Sequence, residues 1–135
     1  MFGCSSFNGA EQTEAENFVK SYLSVLQRVY AEAKLEPLAN LATEQEYKKV
    51  FPVIQALEAT NNVMKTEVLE FKVKRTRIEG SKAVVTTAER WLYWWEDRKT
   101  GAITKPKGEE SYNLEYHLLK VKGSWRVDSI RNLNQ

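Results

Sequence analysis

Residues 63–97 read VMKTEVLEFKVKRTRIEGSKAVVTTAERWLYWWED, and the fold turns on the period of this stretch. Upstream of it apolar residues recur every three or four positions; from Val63 onward they alternate, and β-branched and aromatic side chains become dense. A period near 3.6 belongs to a helix and a period near 2 to a strand, so the chain changes here from helices to sheet. Gly80-Ser81 punctuates the stretch and predicts two strands, over 63–78 and 83–97, joined by a tight turn.

Downstream the same rules predict a Gly- and Pro-containing loop over 99–108, a strand over 112–122, a turn at Gly123-Ser124 and a closing strand over 125–133. Upstream, Ala15, Phe18, Val19, Tyr22, Leu23, Leu26, Val29, Tyr30 and Ala33 form one wide helical face over 13–34. Glu14 and Glu16 in its first turn and Lys34 in its last match the helix dipole. Pro37 ends or restarts this helix, and a short segment around Leu38 and Leu41 follows. Thr43 with Glu46 has the spacing of a capping box, which opens a second helix carrying Tyr47, Val50, Phe51, Ile54 and Leu57. Pro52 is expected to kink it and Asn61-Asn62 to stop it. An antiparallel sheet with one apolar face must be covered, and the helices are the cover at hand. The expected class is therefore α+β, with N-terminal helices packed on a curved four-stranded antiparallel sheet. Residues 1–12, small and polar, are expected to be a flexible tether, and 13–135 a single domain.

Composition narrows the functional classes. The net charge of +2 is too small a surplus to imply nucleic acid as the main partner. One His and one Cys in 135 residues argue against a metal site, and no Gly-rich phosphate loop, zinc spacing or nucleophile elbow is present, so neither metal nor cofactor is expected. The lone Cys has its own context. Gly3-Cys4-Ser5-Ser6 has the small-Cys-small-polar pattern of a bacterial lipoprotein junction, although only Met1 and Phe2 precede Gly3. The expectation is a lipid on Cys4, an export signal trimmed away or lost to a late start, and a place in the bacterial cell envelope. Without that lipid the chain is expected in the cytoplasm, and Cys4 would be its only contact with a membrane.

The order helix, short helix, helix, four-stranded meander resembles the NTF2-like, cystatin-like cone superfamily. A narrower likeness is carried by Glu46-Tyr47, 59–62, 72–80, 83–89, Thr100-Gly101 and 112–126, the last reading YNLEYHLLKVKGSWR. These resemble the C-terminal domain of cyanobacterial and plastid division proteins, which in plastids lies in the envelope intermembrane space. The resemblance implies a domain that receives a partner protein rather than an enzyme, and a cavity between the concave sheet face and the helices. Those proteins carry long helical regions and a membrane span ahead of the domain, whereas this sequence contains no comparable apolar run.

Strand alternation then assigns the cavity. Ala83, Val85, Thr87, Glu89, Trp91, Tyr93, Trp95 and Asp97 share one face of the long strand, and a match of Ala83 and Val85 to buried positions of the relatives turns that face inward. Glu89, Trp91, Tyr93 and Trp95 are expected to line a cavity with Tyr22, Leu26 and Tyr30 of the first helix and Tyr112, Leu114 and Tyr116 of the next strand. A small apolar ligand would suit such walls. An acidic group among aromatics is also a way to place a general base, so the alternative is a ketosteroid-isomerase-like or polyketide-cyclase-like enzyme using Glu89 or Asp97. On the opposite face Leu92 and Trp94 need a cover: a protein partner or homodimer, or the segment 100–110. His117, without a second ligand or nucleophile nearby, is expected on that opposite face with no catalytic role.

Overall fold

The computed structural model describes the backbone of residues 2–134 and the side chains of 9–134. Its elements are α1 (Phe2–Glu32), a one-turn 3₁₀ helix (Glu36–Leu38), α2 (Glu44–Ala59), β1 (Asn62–Glu79), β2 (Lys82–Asp97), β3 (Ile103–Val121) and β4 (Ser124–Asn132). The four strands form one antiparallel meander in the order β1-β2-β3-β4, with the helices on one side. This is the α+β architecture expected from the change of period.

Helix α1 buries Ala15, Val19, Tyr22, Leu23, Leu26 and Val29, a stripe at three- and four-residue spacing, and lies mainly along β1. Its ends differ from expectation. Residues 2–12 are continuous with the helix, so Glu14 and Glu16 stand well inside it. The helix ends at Glu32 because Ala33 takes a left-handed φ of 52°, which leaves Lys34 outside the last turn. Pro37 sits at the start of the 3₁₀ turn, where its missing N–H leaves no bond unmade. Helix α2 continues through Pro52 and stops where Asn61 adopts a φ of 56°.

The capping box at Thr43 and Glu46 does not form. The Thr43 N–H that the glutamate would accept is given to the Val127 carbonyl at 2.9 Å, beside a parallel bridge between Ala42 and Val127. The Thr43 hydroxyl turns to the Asp128 carbonyl instead of capping. Tertiary contact with β4 has taken the groups that a local cap needs, and Glu46 is left to turn into the core.

Three further features correct the strand boundaries. The loop expected over 99–108 is only a short turn, and β3 begins at Ile103. Pro106 is tolerated inside it because pairing with β2 shifts register on either side of Trp95, and because β4 reaches only to Leu114, leaving the outer edge of 103–112 without a strand partner among the described residues. The last turn is Lys122-Gly123 rather than Gly123-Ser124: both residues have positive φ, as a type I′ hairpin requires, and Val121 pairs with Ser124. In β1, register shifts at Leu69 and Lys74 each flip the alternation. Val68, Phe71, Val73 and Ile78 consequently all pack on the core, which strict alternation would forbid.

Candidate functional site

Along β2 no register shift against β1 or β3 is carried by residues 83–91 themselves, so Ala83, Val85, Thr87, Glu89 and Trp91 are buried in strict alternation. That row faces the helices. An open cavity of about 380 Å³ lies between α1, α2 and the helix-facing side of the sheet. Of the residues expected to line it, Leu26, Tyr30, Glu89, Trp91, Tyr93, Tyr112, Leu114 and Tyr116 do so. Two stand elsewhere. Tyr22 is fully buried and outside the lining, and Trp95 lies farther along β2 with the Lys105 ammonium 4.1 Å from its ring centre.

Leu23, Val53, Met64, Ile130 and Asn132 complete the walls. For Ile130 and Asn132 the reason is a register shift at Asp128: Val127 faces inward opposite Leu118, and beyond the shift the even positions of β4 do. Only the pairing reveals it.

Glu89 is the one carboxylate in the lining and is 3% exposed. It accepts three hydrogen bonds: from the Thr87 hydroxyl (2.6 Å) and the Tyr116 hydroxyl (2.6 Å) on Oε2, and from the Trp91 indole N–H (2.7 Å) on Oε1. Thr87 and Trp91 reach it because residues two apart on a strand share a face, and Tyr116 lies on the adjacent strand opposite Val85. The carboxylate thus fixes two walls of the cavity against each other. Beyond it the Trp91 and Tyr93 rings stack with centroids 5.8 Å apart, and the Tyr93 and Tyr112 hydroxyls share a hydrogen bond of 2.8 Å.

Tyr30, Tyr93 and Tyr116 are held protonated. Burial, reinforced by Glu46 and Tyr112, pushes Tyr30 up to about 12; burial, then the charge and hydrogen bond of Glu89, holds Tyr116 well above the usual phenol range. Burial and the hydrogen bond shared with Tyr112 raise Tyr93 in the same sense. The cavity therefore offers neutral hydroxyls, apolar walls and one carboxylate, with no lysine, arginine or histidine among its lining residues.

The other sequence candidates have different surroundings. Asp97 is half-buried at the β2–β3 turn, where Oδ1 accepts the backbone N–H groups of Thr100 and Lys99, both at 2.9 Å; these bonds lower its pKa. It shapes a turn and does not face the cavity. Trp94 is half-buried on the outer face, its indole N–H bonded to Glu96 (2.7 Å) and the Lys107 ammonium 4.7 Å from its ring centre; Leu92 is half-buried as well. His117 is on the outer face against Glu115. The side chain of Cys4 lies outside the described residues. Among the described residues no group of three His, Cys, Asp or Glu comes together, and no helix is long and apolar enough to cross a membrane.

No protein-family model matches the chain, and no curated protein matches it by sequence. Similarity is found in solved structures. A SEC-C motif containing protein from Rhodopseudomonas palustris superposes loosely, with a TM-score of 0.47 at 16% identity over 77% of this chain and 70% of that one. An Ntf2 like protein involved in plasmid conjugation does likewise, with 0.47 at 13% identity over 73% and 38%. The intermembrane space region of chloroplast protein ARC6 is far more similar, with a TM-score of 0.78 at 15% identity, covering 90% of this chain and 95% of that one. Two helices on an open four-stranded antiparallel meander, matched over nearly the whole of both chains, give this chain an α+β fold shared with that intermembrane-space region.

Proposed function

We propose that the chain is a non-catalytic binding module whose concave cavity receives an apolar group. The observation that carries this reading is the state of Glu89 inside an otherwise apolar, open cavity. A general base needs a lone pair directed at the substrate, and Glu89 has three of its roughly four acceptor positions occupied by Thr87, Tyr116 and Trp91. Of the neighbouring phenols, Tyr93 and Tyr112 are bonded to each other and Tyr116 to Glu89, which leaves only the protonated Tyr30 hydroxyl without a bond to either. What remains for a guest is apolar and aromatic surface, in the size range of small-molecule pockets.

A neutral apolar fluorophore, N-phenyl-1-naphthylamine, tests it. Saturable binding at one site is expected, together with its loss in Leu114→Trp, where the added ring fills the cavity. Absence of binding to the native chain, or equal binding to the filled variant, overturns the reading.

The same proposal places the module in the cell envelope through a lipid on Cys4, supported by the Gly3-Cys4-Ser5-Ser6 context, and gives Leu92 and Trp94 a contact with a protein partner or a second copy, supported by two half-buried apolar residues on the outer face. Expressed with its genomic leader in bacteria, the chain should incorporate labelled palmitate and Cys4→Ala should not. Trp94→Ala should lower the sedimentation mass. A label that survives the cysteine substitution removes the anchor, and an unchanged mass removes the self-contact.

A further inference from the structure

The four tryptophans do not have equivalent surroundings. Trp94, Trp95 and Trp125 each carry a lysine ammonium over the ring, from Lys107 at 4.7 Å, Lys105 at 4.1 Å and Lys120 at 4.9 Å. Trp91 is the exception: it faces the cavity, and its ring stacks on Tyr93. Beside it, Glu89 is buried without a cationic partner, since no ion pair among the described residues includes it. Buried carboxylates are ordinarily matched by a positive charge as well as by hydrogen-bond donors. Aromatic rings around a cavity attract cations through their quadrupoles, most strongly when the cation is poorly hydrated and the site is dry.

We propose that the cavity binds a small organic cation, a tertiary or quaternary ammonium on an apolar body, held among Trp91, Tyr93 and Tyr112 with its charge toward Glu89. The assignment rests on the reading above that the cavity is a binding site, and adds the charge class of its guest. An anionic ligand such as a fatty acid would meet the carboxylate with no basic side chain to offset it. A neutral ligand would use the apolar walls but leave the charge of Glu89 unmatched. An alkylated ammonium has no hydrogen-bond donors or few, so Glu89 can keep its bonds to Thr87, Tyr116 and Trp91 while the cation sits against it.

Benzyltrimethylammonium and its uncharged isostere neopentylbenzene separate charge from shape, with 4-phenylbutyrate as the anion. Binding to the full, unlipidated chain is followed by indole NMR shifts. The ammonium should bind about ten-fold more tightly than the isostere and the acid least of all. Glu89→Gln should erase that preference and retain the isostere. Its amide keeps the local bonds, because the Thr87 and Tyr116 hydroxyls can turn round to accept. Tyr112→Leu, at a half-buried position, should weaken the ammonium several-fold more than it weakens the isostere, because it removes a ring quadrupole but keeps apolar surface. Equal or tighter binding of the isostere overturns the cation assignment and leaves the apolar site standing; binding of neither molecule removes both. Phosphatidylcholine vesicles form the last arm: protein that sediments with them while ignoring the free ammonium would overturn the small-molecule assignment in favour of a lipid headgroup.

Discussion

Glu46→Gln should make the protein more stable at pH 8 by about 2–3 kcal/mol and remove most of the slope of stability between about pH 4.5 and 7. Glu46 is only 5% exposed, and burial raises its carboxyl to about 7; Asp128 on β4 raises it further, while Lys49 one turn along α2, 3.8 Å away, opposes the rise. From α1 it meets Tyr22 and Tyr30, both neutral phenols. Oε1 has no hydrogen bond, nor has the hydroxyl of Tyr22. A carboxyl with a raised folded pKa binds its proton more tightly in the native state than in the unfolded chain. The native state is therefore not penalised below about pH 4.5, loses stability as pH rises toward 7, and carries the whole penalty above it. Holding a carboxyl one pH unit above its ordinary value costs the folded, ionised form about 1.4 kcal/mol, which sets the upper end of the expected gain. Urea denaturation at about pH 4.5, 6 and 8 reads the effect: the native chain should lose stability across the series while Glu46→Gln stays level. Parallel pH profiles for the two proteins would show that Glu46 does not carry a buried charge.

Glu89→Ala should have the opposite effect, destabilising by about 3–5 kcal/mol at neutral pH, because it leaves the Thr87 hydroxyl, the Tyr116 hydroxyl and the Trp91 N–H without an acceptor in the interior. Glu89→Gln should cost no more than about 2 kcal/mol, since its amide presents one acceptor to the indole and two donors to hydroxyls that can reverse. The difference between the two variants, measured by urea midpoints, separates loss of the hydrogen-bonded cluster from loss of charge. If alanine and glutamine are equally mild, the cluster does not hold β2 to β3 as its geometry indicates. The two glutamates thus behave differently although both are buried: one is satisfied by three donors and orders a cavity, the other has one distant lysine and opposes the fold at high pH.

The positions of the cavity residues follow from the same distinction between local and long-range causes. The row from Glu89 to Tyr93 is legible from sequence because residues 83–91 alternate without interruption, and because Tyr112, Leu114 and Tyr116 alternate on the strand that pairs with them. Ile130 and Asn132 are not, since an extra residue at Asp128 reverses the parity of β4. Val53 and Met64 require knowing where α2 and the start of β1 meet the sheet. Nor can alternation place Trp95, because the strand continues past the cavity to a segment where β3 shifts register and lays Lys105 over the ring.

By itself the sequence determines the change from helix to strand after Asn62, the turn at Gly80, the buried stripe of α1 and the division of β2 into two faces, all consequences of steric period and turn chemistry acting over a few residues; which face of β2 turns inward is read from the resemblance, through Ala83 and Val85. Only the tertiary structure decides the bulges at Leu69, Lys74 and Asp128, the extension of β3 through Pro106 and the failure of the Thr43–Glu46 cap. Each depends on which backbone groups a distant strand presents: Val127 takes the Thr43 N–H, and the missing β4 partner along 103–112 lets a proline stay in a strand. Hydrogen bonds made across the chain outweigh local preferences of about 1 kcal/mol, and the fate of both buried glutamates is settled by them.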